Sequence, residues 1–134
     1  MAVEQNDVLA RTAIEQGLGV RVSDPFIGLV VSHETNLHGA IILNNFDRHN
    51  IDLTIMAFEP WKISDVRDLA RYVFVQLDCK RATCITLATN EKAINRLISM
   101  GFKREGLMRE RFPQGDAIVF GLTRNEQKIL RLKK

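Results

Sequence analysis

The sequence predicts a mixed α/β domain, one mostly antiparallel sheet with helices on both faces. Three observations predict it. Apolar and polar residues alternate in the first half, most clearly where Ile51, Leu53, Ile55 and Ala57 interleave with Asp52, Thr54, Met56 and Phe58. The period then lengthens to helical spacing at Val66, Leu69, Ala70, Val73 and Leu77. A strand, a helix and two further strands follow, and a strand–helix–strand unit demands a parallel pair with a right-handed crossover.

Each element has its own signal. Residues Asn6 to Gln16 read as a helix: Asn6 or Asp7 can cap it, Val8, Leu9, Ala13 and Ile14 share a stripe, and Gly17 and Gly19 end it. Phe26 to Ser32 and His38 to Asn44 are apolar runs joined by the turn formers Glu34 to Asn36, hence a hairpin. Asn45 to Asn50 turns the chain into the strand Ile51 to Glu59. The next helix spans Ser64 to Leu77, with Ser64 or Asp65 as its cap. Ala82 to Ala88 is a β-branched strand, and Glu91 to Met100 is a helix with Ala93, Ile94, Leu97 and Ile98 on one face, stopped by Gly101. Glu105 to Phe112 and Ala117 to Leu122 are strands joined by Pro113 to Asp116, where Pro and Gly favour a turn.

Composition narrows the function classes. The chain has 134 residues, 46% apolar and 26% charged, which suits one globular domain over residues 1–134 and argues against disorder. No apolar run is long enough for a membrane helix. The acidic residues Glu4, Asp7 and Glu15 do not suit a secretory leader, so a cytoplasmic protein of a bacterial or phage-infected cell is expected. Cys79 and Cys84 lack the companions a metal site needs, and we read them as reduced thiols, Cys84 in a strand. The net charge of +3 is concentrated in the 126–134 tail, where Lys128, Arg131, Lys133 and Lys134 suit the last turn of a helix.

One block carries more than fold. Asn90 ends a strand and can cap the next helix, Ala93 is small three positions on, Gly101 supplies a left-handed stop, Phe102 is apolar, and Glu105-Gly106 opens the next strand. This block resembles the end of a GNAT domain, the acetyl-CoA-dependent N-acetyltransferase superfamily, and is nearest to its small phage-encoded members. The likeness extends over about residues 26 to 125.

The resemblance implies a GNAT-like acyl-CoA N-acyltransferase fold and acetyl transfer from acetyl-CoA to a primary amine on a peptide, protein or small molecule, without a metal. It implies that Asn90 reaches the pantetheine arm and that Ala93 lets the cofactor pass, with Arg96 on the same helix. It places a modified phosphate loop at Trp61, Lys62, Ile63, Ser64 and Asp65, and backbone N–H groups for the thioester at Ala57, Phe58 or Trp61. It puts the acceptor among the loops Arg21 to Pro25, Asp47 to Asn50 and Phe112 to Asp116, and a homodimer is among the arrangements it allows.

Two departures from the family pattern bear on chemistry. The usual phosphate loop is glycine-rich, so that backbone N–H groups and a helix dipole meet the diphosphate. Here Glu59 to Val66 holds no glycine. Lys62 and Arg67 could supply charge, but Asp65 stands where an anion would approach. A tyrosine commonly follows the Asn by seven residues as proton donor. That position is Leu97, and the single tyrosine is Tyr72. For a general base, Glu59 is best placed, ahead of Asp52, Asp47 and His49, because the resemblance implies that the acetyl group enters where the fourth and fifth strands splay. His33 and His38, flanking a hairpin turn, are expected at the surface.

Two competitors remain. The fold can persist without catalysis as a binding or structural protein, such as a virion component or host modulator. A nucleic-acid role would use the basic tail with Lys103, Arg104, Arg109 and Arg111, but no aromatic residues interleave with them.

Overall fold

The computed structural model describes residues 2–131. Alternation dictates the sheet. In strand β4 (Asn50–Ala57) the odd positions Ile51, Leu53, Ile55 and Ala57 are buried and the even ones only half-buried, the period-2 pattern of a pleat with unequal faces. β2 (Ile27–His33) and β3 (Asn36–Asn44) form the expected hairpin. β5 (Arg81–Leu87), β6 (Lys103–Phe112) and β7 (Gly115–Thr123) follow in chain order. A further strand, β1 (Val3–Gln5), pairs antiparallel with β2 through Val3↔Val31. Sequence reasoning misses this strand, because three residues with only Val3 buried leave no periodic signal.

The seven strands lie in the order β1-β2-β3-β4-β5-β7-β6. Among the described residues β4 and β5 are the one parallel pair, and every other neighbour is antiparallel. The crossover between them is helix α2 (Ile63–Arg71), extended by a wider turn at Tyr72–Gln76 whose register shows in Leu77 N–H donating to Tyr72 C=O at 2.9 Å. The predicted single helix to Leu77 is therefore two geometries in series. This turn buries Val73 and Phe74 on the same core as Leu69 and Ala70.

Helices cover both faces. α1 (Asp7–Leu18) starts where Asn6 Oδ1 accepts the Leu9 N–H at 3.0 Å and ends at Gly19, whose φ of 71° places its N–H on Glu15 C=O. Gly17 lies inside it. Its buried residues Ala10, Ala13, Ile14 and Leu18 pack on Val30, Ala40 and Ile42. Gly28 makes this close approach feasible, because a Cβ there would sit 2.7 Å from the Cβ of Ala10. The opposite face holds α2 and α3 (Glu91–Ser99) over Leu29, Ile41, Leu53, Ile55 and Phe120.

The tail differs from expectation. Residues 124–131 form no helix. Gln127 folds this segment instead, its Oε1 accepting the N–H groups of Ile129 and Leu130 at 2.9 and 2.8 Å. Those two apolar residues dock on the core. Lys128 and Arg131 are exposed, while Lys133 and Lys134 lie outside the described residues. On β6, Arg104, Arg109 and Arg111 are exposed, whereas Lys103 pairs with Glu126 at 3.0 Å.

Both cysteines are buried and unpaired. Burial pushes the Cys84 thiol far above its ordinary range, so almost no thiolate forms. Native protein treated with an aromatic disulfide reagent at pH 8 is therefore expected to release no rapid thiol signal, and both thiols should react after unfolding. Rapid native-state labelling would contradict this packing.

Candidate active site

The parallel pair parts near its C-terminal end. β4 and β5 are in register from Asn50↔Arg81 to Ile55↔Thr86, and the ladder stops there. β5 continues on β7 through Leu87↔Ala117 and the Ala88 N–H to Asp116 C=O bond. β4 instead stays with β3, because Phe58 and Glu59 N–H both reach His38 C=O, at 2.8 and 3.2 Å. Two strands obeying different neighbours must diverge, and the gap between them is the mouth of the candidate site.

Asn90 stands in that gap. Its Oδ1 accepts the Ala93 N–H at 3.0 Å and so caps α3, while its Nδ2 donates to Ala57 C=O at 3.0 Å. Two more α3 side chains reach the same arm of chain: Lys92 Nζ donates to Phe58 C=O and Arg96 Nε to Trp61 C=O, each at 2.9 Å. Ala93 is buried and small. A cleft of about 380 Å³ lies on this side, lined by Pro60, Trp61, Lys92, Asn95 and Arg96.

Phe58 and Trp61 leave the arm on opposite faces. Phe58 joins the core under α1, and Trp61 joins the core under α2 and α3. Trp61 is 4% exposed, with its indole N–H on His38 C=O at 3.0 Å and its ring against Gly39. The tryptophan is thus a core residue that also walls the cleft.

The phosphate-loop segment Lys62 to Asp65 begins α2, but not as expected. The helix starts at Ile63, with Lys62 in the cap position, and Ser64 points outward without capping. Asp65 does the capping from three residues on: its Oδ2 accepts the Lys62 N–H at 2.9 Å. Its side chain is wholly buried, and His33 Nε2 lies 2.9 Å from both carboxylate oxygens. His33 and His38 are accordingly half-buried, not superficial, with ring centroids 4.8 Å apart. The His33–Asp65 contact joins positions 32 apart in sequence, so no local pattern could have announced it.

Among acid/base candidates, Glu59 is at the mouth, and its side chain is exposed without a hydrogen bond among the described residues. Asp47 and Asp52 belong to the opposite end of β4. Asp47 accepts the N–H groups of Asn50 and His49, which hold its carboxyl below the usual range, and Asp52 accepts from Asn45 and Asn50. His49 is exposed on that same turn. Leu97 is buried in the core, and burial raises the Tyr72 hydroxyl, with the Asp7 charge adding to it. Of the acceptor loops, Gln114 meets the end of α1 by donating to Gly17 C=O at 3.1 Å, beside Met56 and Phe58. The Asp47 to Asn50 loop lies at the far end with Asp52. No group of three potential metal-ligating side chains occurs among the described residues. No helix among them is long and apolar enough to cross a membrane.

No protein-family model matches the chain, and no curated protein matches it in sequence. Solved structures do. A protein described as a probable acetyltransferase superposes with a TM-score of 0.64 at 23% identity, covering 77% of this chain and 64% of its own. The present chain thus spans just under two thirds of that protein's length. The spermidine/spermine N-acetyltransferase SpeG of Vibrio cholerae, in mutant form, superposes with a TM-score of 0.66 at 14% identity, over 92% of this chain and 95% of SpeG. At such identities the likeness is one of architecture. The chain thus has the mixed α/β fold of GNAT-type acetyltransferases.

Proposed function

We propose that the chain transfers an acetyl group from acetyl-CoA to a primary amine. The observation that carries this reading is Asn90, set in the parting of β4 and β5 with the small Ala93 beside it. Such a parting suits an extended arm lying along the edge of β4 that β5 leaves, beside Ala57; the Phe58 N–H is not available to it, because it donates to His38 C=O. The co-substrate supplies an activated thioester, so the chain needs mainly to orient it and exclude water. In the reaction the neutral amine nitrogen bonds to the thioester carbonyl carbon, the carbon–sulfur bond breaks to release CoA as a thiolate that solvent protonates, and the attacking nitrogen sheds its extra proton. Glu59 is the carboxylate at the mouth free to take that proton, directly or through water. The acceptor enters from the α1 side, where Gly17 and Gln114 meet.

The test is calorimetric titration with acetyl-CoA, followed by mass analysis of amines incubated with both. Saturable heat and an acetylated amine are expected. E59Q should lower turnover about 10²-fold or more while leaving the heat unchanged. Absence of heat and of a thermal shift at millimolar acetyl-CoA sinks the reading.

One observation favours a second reading. Three carbonyls of the arm, at Ala57, Phe58 and Trp61, are already taken by Asn90, Lys92 and Arg96. A stitched arm suits a domain kept for binding or structure, such as a phage virion component or a modulator of a host protein, and the null titration would select it.

A further inference from the structure

Acetyl-CoA has two recognisable halves, an acyl-pantetheine arm and a nucleotide diphosphate, and the chain treats them differently. On the acyltransferase reading the arm lies beside Asn90 and Ala93. The diphosphate does not fit the end of α2. A helix N-terminus attracts anions because its first N–H groups are unpaired and its dipole is positive there. In this chain an anion is already present: the Asp65 carboxylate lies wholly buried at that end, holding the Lys62 N–H and paired with His33. Trp61 fills the space against Gly39, and the segment has no glycine to let a phosphate approach the backbone. Lys62 and Arg67 are exposed, so their attraction for a phosphate is screened by salt.

Resting on the acyltransferase reading, we infer that the donor is held through its pantetheine arm and thioester alone. The donor class is the acyl-pantetheine thioesters, and the nucleotide diphosphate of CoA gains nothing from the end of α2. Asp65 acts as an internal anion there, and the repulsion it exerts on a phosphate offsets the screened attraction of the nearby cations.

The experiment compares dissociation constants of pantetheine and CoA by calorimetry, for the native chain and for Asp65→Asn. The native chain should bind the two within about tenfold of each other. D65N keeps an oxygen for the Lys62 N–H and removes the charge, so it should tighten CoA about tenfold and leave pantetheine unchanged. A native preference for CoA of more than about tenfold overturns this inference but leaves the acyltransferase reading standing. Equal tightening of both ligands by D65N also overturns it. Failure of the native chain to bind either ligand removes both. If D65N does not fold, the native ratio decides alone.

Discussion

Replacing Trp61 by alanine is expected to cost about 3–5 kcal/mol of folding stability, measured by denaturant titration. The residue is 4% exposed, packs among Val66, Leu69 and Leu97, and its indole N–H satisfies His38 C=O. Truncation therefore opens a cavity and removes one donor from a carbonyl that also receives the Phe58 and Glu59 N–H groups. The partner change is Gly39→Ala. A Cβ at Gly39 would stand 2.7 Å from the indole Cε2, and a buried ring cannot move aside, so about 1–3 kcal/mol is expected. With alanine at both positions the clash disappears, and the cost at Gly39 should vanish or change sign. A double-mutant cycle showing additive costs would mean that the tryptophan does not sit on Gly39.

Removing His33 should be nearly as damaging, and more so than removing its partner. His33→Ala leaves the Asp65 carboxylate wholly buried with only the Lys62 N–H, and a stranded buried charge costs about 3 kcal/mol or more. Asp65→Ala removes the charge itself, leaving a lost cap and a half-buried histidine that water can reach, about 1–2 kcal/mol. The order is the diagnostic, and adding Asp65→Asn to the His33→Ala chain should recover much of the loss. Equal effects of the two single changes would indicate an ordinary surface contact.

Much of this molecule is local in origin. Asn6, Gly19, Asn90 and Gly101 announce helix ends because capping depends on residues within four positions. The alternation of β4 and the lengthened period of α2 reveal which faces are buried, because each regular element repeats its own geometry. The parallel pair and the crossover follow from element order, whereas the role of Asn90 beside a cofactor arm is what the family resemblance implies. Where local signals are weak, boundaries shift: β1 is too short to show a period, and the wide turn at Tyr72–Gln76 reads like ordinary helix because both bury Val73 and Phe74.

By itself, then, the sequence determined six of the described strands, the three helices and the cap that Asn90 makes on α3. Tertiary structure alone decided what surrounds that cap. Asp65 reads as an acid near a helix start, and only folding brings His33 to it and shuts its carboxylate away from water. Trp61 reads as part of a phosphate loop, and only the approach of Gly39 makes it a core residue. Glu59 is singled out over Asp52 by its place at the strand end, and only folding shows Asp52 held by Asn45 and Asn50 while the Glu59 side chain stays exposed. Caps and periods are written within a turn or two of chain. The charge and shape of a site are set by residues tens of positions apart, and packing alone brings them together.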